Sequence, residues 1–399
     1  MSASLAYLQV WQQLPEALRA QRDAVWRHFE QHGFPRVSEE DWRYTDLSAL
    51  NDADYAADAS VSITTPAALA GWQRLVFCNG ERIEGAVQAP QATLADDGIT
   101  ALNAALCRDG LNLHVGRGQQ SAPLHLLTLD SGRTMSHLRH RVVLEAGSEA
   151  TLLIDTRGDD SATLTTSVLE VEIGANAHLR LLRIQDIGTS ATDLSRTQIR
   201  VARDARVEYV GLDLGGALVR HDLNVQLAEP GAQAQVHGVF APSGRSHVDT
   251  HTRILHQAPH TTSREIYRGL VGGRAHAVFN GRIVVEKAAQ KTDSEQNLAS
   301  LLLSPGAEIN AKPELEIYAD DVKCAHGATC GQLDDMAIYY LRSRGLDADT
   351  ARNLLLFAFA HDVLAHVIDD AARQEMERRL ASRLPGSAAY EGLMEGLIA

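Results

Sequence analysis

The feature that most constrains this chain of 399 residues is a strand–turn–strand unit that recurs along its middle part. The phrases LEAGSEATLLI, VEIGANAHLRL, VARDARVEYV and LAEPGAQAQVHG place a strand, a tight turn and a second strand in the same order. The turn positions are Gly147, Gly174, Asp204 and Gly231, at intervals of 27, 30 and 27 residues. A period of roughly 20–50 residues is typical of architectures in which repeated units stack on one another.

The units are rich in strands and leave no room for a helix of about ten residues between them. Short alternating segments at 124–129, 141–144, 151–154, 167–173 and 178–184 read as strands, and Gly306 opens a later, less regular copy. The pattern therefore favours a β-helix or related β-solenoid over leucine-rich or helical repeats. A β-sandwich is the alternative, but it does not explain the recurring interval.

Helical patterns flank the strand-rich part. Apolar residues recur at helical spacing before Gly33, and an amphipathic stripe follows Gly331. We therefore predict a mixed N-terminal region (1–115), a β-solenoid core (116–330) and a C-terminal helical region (331–399). Within the last region, 354–360 is apolar nearly all round and must be covered by its own fold or by another protein. The final helix carries the charged residues Glu375, Glu377, Arg378 and Arg379 and is expected to be more exposed.

Charge and composition exclude several functions. The net charge of −14 and the lack of a basic run argue against nucleic acid as a partner. The start of the chain, MSASLAYLQVWQQL, lacks the features of a secretory signal, and the most apolar segment, 353–368, is too short to span a bilayer. Cys78, Cys107, Cys324 and Cys330 are too few and too scattered for a disulfide framework. These features predict a cytoplasmic protein that does not bind membranes.

The usual catalytic motifs are missing from the sequence. There is no P-loop, no G-x-S-x-G elbow, no H-E-x-x-H and no G-x-G-x-x-G in a suitable context. The cysteines also do not form the C-x-x-C spacing of a self-contained zinc or iron–sulfur site. The chain is therefore expected to be non-catalytic and to hold no tightly bound cofactor by itself.

The segment 318–331, YADDVKCAHGATCG, contains the residues best suited to bind a metal. If 317–325 is a strand, Cys324 and His326 lie on one face, about 6.5–7 Å apart along it. A thiolate and an imidazole are good ligands for iron or zinc, and the neighbouring Asp320 and Asp321 favour a cation.

This ligand set is incomplete. Cys324 and His326 supply two ligands, whereas a tetrahedral site needs four, and Cys330 is separated from them by Gly327. The residues therefore predict half of a site whose remaining ligands come from another chain. The alternative is that Cys324 is a small buried hydrophobic residue and His326 a hydrogen-bonded turn residue.

A second polar cluster is rich in histidine. Its members lie within 237–276 and are His237, His247, His251, His256, His260 and His276. His247, Asp249 and His251 share one strand face, which is compatible with a metal ladder or with a solvated or hydrogen-bonded outer face of the solenoid. We favour the outer face. The amides of Gln290, Gln296, Asn297 and Asn310 are likewise interpreted as stacked polar ladders rather than a site.

Several stretches resemble the SufB/SufD family of iron–sulfur cluster assembly proteins. AKPELEIYADDVKCAHGATCGQLDDMAIYYLRSRG, from Ala311 onward, is similar to the C-terminal signature of that family, and this motif is highly specific. SHVDTHTRILHQAPHTTSREIYRGLVGG and QKTDSEQNLASLLLS also resemble it, and DWRYTDL resembles the N-terminal motif of its SufD branch. SufB chains are longer and have an additional cysteine that accepts sulfur, whereas 108–323 contains no cysteine here. The resemblance is therefore to the SufD branch.

The resemblance implies a right-handed parallel β-helix between N- and C-terminal helical parts. It also implies a scaffold role in a complex with SufB, through the β-helix, and with the ATPase SufC, through the C-terminal helices. A transient iron–sulfur cluster or iron would then be shared with the partner subunit, with His326 at the position of the family's ligand histidine and Cys324 beside it. Two other functions stay open: a homodimeric metal-binding β-helix protein and, as a weaker alternative, a carbohydrate-active β-helix enzyme.

Overall fold

The computed structural model describes residues 5–55, 64–85 and 97–384. Its six helices within those ranges are α1 (Leu5–Gln13), α2 (Glu16–His32), α3 (Gly98–Leu106), α4 (Asp335–Ser343), α5 (Ala348–Leu364) and α6 (Asp370–Arg383). The end of the predicted C-terminal region, 385–399, lies outside the described residues. None of the described helices combines the length and apolar character that crossing a membrane requires.

The strands follow one another in short, regular steps. They are β1 (Gln73–Cys78), β2 (Glu81–Glu84), β3 (Asn112–Val115), β4 (Leu124–Asp130), β5 (Met135–Leu144), β6 (Glu149–Gly158), β7 (Leu164–Ile173), β8 (His178–Asp186), β9 (Thr192–Val201), β10 (Arg206–Asp213), β11 (Leu218–Leu227), β12 (Gln233–Phe240), β13 (His247–His256), β14 (Thr262–Val271), β15 (His276–Val285), β16 (Asp293–Leu302), β17 (Glu308–Ile317) and β18 (Lys323–Gly331).

The strands form a parallel β-solenoid, which confirms the predicted fold class. Even-numbered strands from β4 to β18 stack in one sheet together with β1 and β2, and odd-numbered strands from β3 to β17 stack in a second sheet. All pairings are parallel except that of β1 with β2. The sheets thus also include β1 and β3, which precede residue 116. The predicted division into three regions stays a prediction.

One turn of each repeat contains a residue in the left-handed backbone conformation. Gly147, Asp204 and Gly231 have φ of 70°, 54° and 75°, whereas in the second repeat Asn176 (φ 59°) takes this role instead of Gly174. The N–H of each such residue donates to a carbonyl of the next turn; for example, Asn176 N–H donates to the Arg203 oxygen at 2.9 Å. These backbone bonds hold successive turns in register, which explains the recurring interval in the sequence.

The interior of the solenoid is largely apolar. Inward side chains of the two sheets, such as Leu152, Leu181, Val225 and Ile254, pack into one continuous core and are at most 1% exposed. Burying a side chain of this kind contributes about 1.5–3 kcal/mol. Because every turn covers the apolar face of its neighbour, stability depends on stacking rather than on any one strand pair.

The N-terminal region packs against the outer face of the second sheet. Trp42 lies under the guanidinium of Arg220, which is 3.8 Å from the ring centre. The Thr45 hydroxyl donates to Asp249 Oδ2 at 2.5 Å, and Arg220 Nη1 donates to the same oxygen at 2.6 Å. The DWRYTDL motif is therefore an anchor that attaches the N-terminal segment to β11 and β13.

The C-terminal helices cover the first sheet. The apolar segment of α5 packs on β12 and β14, where Leu356 and Ala360 are fully buried, so the fold itself covers this part of the helix. The expectation that the final helix is more exposed was wrong in part. Glu377 and Arg379 are each only 6% exposed, because α6 packs its charged side chains against the sheet and Arg379 forms an ion pair with Asp186 of β8.

The two ends of the solenoid differ. Helix α3 packs on β5 and β7, near the beginning, whereas β17 and β18 are the last strands of their sheets. Most residues of β18 are exposed, and no described strand pairs with its outer edge. As far as the described residues show, the C-terminal end of the solenoid is therefore open.

Candidate functional site

The candidate ligands lie on the last strand of the solenoid. The expectation of a strand over 317–325 was wrong: β17 ends at Ile317, a turn follows, and β18 begins at Lys323. The chain turns here because it must cross from the second sheet to the first, and Lys291 N–H supports the turn by donating to the Asp321 carbonyl at 2.6 Å. Cys324 and His326 nevertheless lie on one strand, because both belong to β18.

Both side chains share the inward face of β18. In the register with β16, Cys324 lies beside Ser294 and His326 beside Gln296. Ser294 and Gln296 are 2% and 1% exposed, so their positions face the core, and alternation places Cys324 and His326 on the same face. Since no further turn within the described ranges covers them, Cys324 is half-buried and His326 is exposed. The thiol and the imidazole thus face the open end.

The environment of Cys324 favours the neutral thiol in the isolated chain. Burial against the core raises the pKa of the Cys324 thiol, and the nearby Asp293 carboxylate raises it further. A cation would reverse this preference by stabilising the thiolate. The alternative role for His326, a hydrogen-bonded turn residue, is not seen: it lies within a strand, and its side chain forms no hydrogen bond to a described residue.

The surrounding residues do not complete the site. Cys330 shares the inward face and lies beside Ser300, but it is six steps along the strand from Cys324, a distance of about 20 Å. Asp321 is paired with Lys291. Over the ranges that the structure describes, no group of three or more His, Cys, Asp or Glu residues could hold a metal ion.

The backbone of β18 presents a second set of free groups at the open end. Lys323 N–H donates to the Thr292 carbonyl at 2.8 Å, so this N–H points towards β16. Because successive residues of a strand alternate, the N–H groups of Cys324, His326, Ala328 and Cys330 point away from β16. The side chains of the candidate ligands and a row of backbone donors that pair with no described strand therefore lie together at the same end.

Several members of the histidine cluster are hydrogen-bonded, and among the described residues the cluster offers no group of three or more ligands to a metal. His247 Nε2 lies 2.9 Å from Thr45 Oγ1, and His251 Nε2 lies 3.0 Å from Asp249 Oδ1, beneath the N-terminal segment. His256 is different, because it faces the core and bonds Thr261 and Ser263. The predicted hydrogen-bonded outer face is thus confirmed for His247 and His251, although the N-terminal segment partly covers it.

Sequence reasoning missed a buried hydrogen-bonded pair, Glu265 and Gln296, on β14 and β16, the two strands stacked before β18. Gln296, interpreted as part of a stacked ladder, donates through Nε2 to Glu265 Oε2 at 2.5 Å in the core. Burial raises the pKa of Glu265 to about 7. The sequence contained a sign of this pair. Glu265 and Gln296 lie at inward-facing positions of their strands, and the corresponding positions in earlier turns are apolar.

Glu265 gives stability a pH dependence that can be measured. Its carboxyl has a pKa of about 7 in the folded chain against an ordinary value of 4.5, so its favourable contribution is present below pH 4.5 and is lost as pH rises through 7. Glu265→Gln removes this titration. Relative to the native chain, the variant should gain up to about 3 kcal/mol in unfolding free energy between pH 4.5 and pH 8.

Denaturant unfolding at several pH values measures this difference. The matched control is Glu295→Gln on the exposed face of β16, which should keep the pH dependence of the native chain. Parallel curves for the Glu265 variant and the native chain would contradict the assignment of a buried, titrating carboxyl.

Together, the fold and the site define a parallel β-solenoid with helical flanks that carries a thiol and an imidazole at an open end. Two family models match the chain: the SufBD core domain of the SUF system for iron–sulfur cluster assembly over residues 127–359, and the SufBD protein N-terminal region over residues 7–67. The chain belongs to the SufBD family of iron–sulfur cluster assembly proteins.

Individual relatives agree with this assignment. The iron–sulfur cluster assembly protein SufD of Escherichia coli is 31% identical, over 96% of this chain and 97% of that protein. An iron–sulfur cluster assembly SufBD family protein of Synechocystis is also 31% identical, over 84% of each chain. The chloroplastic protein ABCI7 of Arabidopsis thaliana is 33% identical over 58% of this chain and 49% of its own length.

Proposed function

We propose that this chain is a SufD-type, non-catalytic scaffold that builds an iron–sulfur cluster jointly with a SufB subunit at the open end of its solenoid. The observation that carries the proposal is the position of Cys324 and His326: two metal-binding side chains on an uncovered terminal turn, without further ligands in reach among the described residues. Iron in such a site needs additional ligands, which a second subunit would supply.

The donor types fit this cargo. A thiolate and an imidazole together ligate iron in several biological clusters; burial raises the pKa of the Cys324 thiol, and a bound cation would favour its thiolate. The chain's own role is to present both groups on a rigid strand. The transient cluster or iron is the cargo of the complex rather than a resident cofactor.

The edge of β18 supports docking of a second chain by strand addition. Four outward N–H groups alternate along 324–330, and the strand of a partner can pair with them. Such pairing would cover an otherwise open edge and bring the partner's ligands next to Cys324 and His326. In this arrangement a SufB β-solenoid continues the stack beyond β18.

We propose that the ATPase SufC contacts the C-terminal helices. Helix α4 has no buried residue and exposes Met336, Tyr339 and Tyr340 at 70%, 68% and 57%. Aromatic side chains and methionine are enriched in protein interfaces. ATP hydrolysis would belong to SufC, since this sequence has no P-loop. We place the complex in the cytoplasm.

Co-expression with SufB and SufC, followed by mass determination of the intact assembly, tests the proposal. We expect the chain to be recovered in a complex that contains all three proteins. Recovery of only a homodimer with a full metal complement would contradict the scaffold function and favour the homodimeric metal-binding protein. Cleavage of a polysaccharide by the purified chain would instead favour the carbohydrate-active enzyme.

A further inference from the structure

The inward side chains of the core change from apolar to polar directly behind His326. The inward column that ends at this residue runs through Leu152, Leu181, Tyr209, Val236, Glu265, Gln296 and His326. The first part is apolar or aromatic, whereas the last two buried positions are a carboxyl and an amide, each 1% exposed. Polar groups in such positions cost free energy unless they are hydrogen-bonded, so apolar residues would serve the stack better.

The amide of Gln296 has a defined orientation. Its nitrogen donates to Glu265 Oε2, so the nitrogen end of the amide faces β14. The amide oxygen, Oε1, is buried and has no hydrogen-bond partner among the described residues. A buried acceptor is thus left available on the strand next to β18.

The opposite sheet makes room for this amide. A Cβ added at Gly281 of β15 would overlap the amide nitrogen of Gln296, so any larger residue would displace it. The register places Gln296 beside His326, and adjacent strands are about 4.8 Å apart, which is within reach of an amide and an imidazole. Three strands, β14, β15 and β16, thus surround the amide on the strand beside His326.

We propose that Gln296, oriented by Glu265, is a positioning residue: when the exposed imidazole of His326 rotates towards β16, the unpartnered Gln296 Oε1 accepts a hydrogen bond from one ring N–H and leaves the other ring nitrogen free to bind metal. The inference rests on the proposed function, because it concerns His326 as a ligand. A histidine ligand needs one nitrogen with a free lone pair, and a bond to the other nitrogen selects the tautomer and the ring orientation. Outer partners of this kind raise metal affinity about 10- to 100-fold.

The first measurement is the tautomer of His326 in the isolated chain without metal. It uses NMR of protein labelled with ¹⁵N-histidine, with His326→Ala to assign the signal. We expect one tautomer to predominate in the native chain and the ratio to fall at least about fivefold towards that of free imidazole in Gln296→Met, which has an unbranched side chain of similar length. Ser300→Ala, an inward position of β16 beside Cys330, is the matched control and should leave the ratio unchanged.

The second measurement is the affinity of the isolated chain for Co²⁺. Gln296→Met should weaken binding about 10-fold. The double variant Glu265→Gln/Gln296→Glu should restore both the tautomer ratio and the affinity, because the amide at position 265 can donate to one carboxylate oxygen at position 296 while the other oxygen accepts from His326. Rescue of this kind separates positioning from a general effect on folding.

The outcomes distinguish this inference from the function on which it rests. An unchanged tautomer ratio and Co²⁺ affinity in Gln296→Met would overturn the positioning role, while the scaffold function would stand if His326→Ala still prevents cluster assembly. If the double variant remains as defective as Gln296→Met, the hydrogen-bond mechanism is also rejected. Normal cluster assembly by His326→Ala would instead remove the proposed function itself.

Discussion

Replacing His326 with alanine is expected to leave the assembled complex intact and to prevent cluster formation during anaerobic reconstitution. The side chain is exposed on the terminal strand and forms no hydrogen bond to a described residue, so its removal costs the fold little. The site itself would lose one of its two ligands from this chain. We expect cluster yield to fall by more than the roughly 10- to 100-fold that loss of an outer-shell partner causes.

The absorbance of the reconstituted cluster, together with iron and sulfide content, measures the effect. His114→Ala is the matched control, since His114 is an exposed histidine on β3, the strand at the other end of the second sheet. It should assemble clusters normally. Native cluster yield from His326→Ala in an intact complex would show that the ligand assignment is wrong.

Replacing Ala328 with proline is expected to weaken the association with SufB while leaving the chain folded. The N–H of Ala328 points away from β16, so proline removes a donor that the fold does not use, and edge positions of this kind tolerate proline. A partner strand, however, would lose one backbone hydrogen bond and meet the proline ring. We expect affinity to fall about 10- to 100-fold, from the lost bond together with the steric clash.

Two further variants locate this effect at the edge. Ala328→Ser keeps the N–H and should bind SufB as the native chain does. Thr329→Pro removes an N–H on the β16 side of the strand and should lower the melting temperature of the isolated chain, which Ala328→Pro should leave nearly unchanged. If Ala328→Pro associates with full affinity, the partner does not dock by pairing with β18.

The fold class was accessible from the sequence because a stacked architecture repeats its local chemistry. Each turn needs a tight bend at the same point, and residues such as Gly147 and Gly231 mark it. The exact left-handed residue was harder to assign, since Asn176 rather than Gly174 occupies this position in the second repeat. Both residues suit turns, and only the hydrogen bond from Asn176 to the next turn distinguishes them.

The pairing of Cys324 with His326 on one face was also accessible, because alternation along a strand depends only on sequence spacing. The strand bounds were not, since the crossing between the two sheets occupies the turn after Ile317. The openness of the site follows from its place in the last turn. The local sequence around Cys324 and His326 does not show at which strand the stack of turns ends.

The sequence by itself determined the period of the solenoid, the face shared by Cys324 and His326, and the shortage of ligands around them. These properties depend only on residue types and on their spacing along the chain. Only the tertiary structure decided that Arg379 of a charged helix is buried against Asp186, and that Glu265 and Gln296 lie directly behind His326. The physical reason is that such neighbours are roughly one turn or more apart in sequence, and stacking alone brings them into contact.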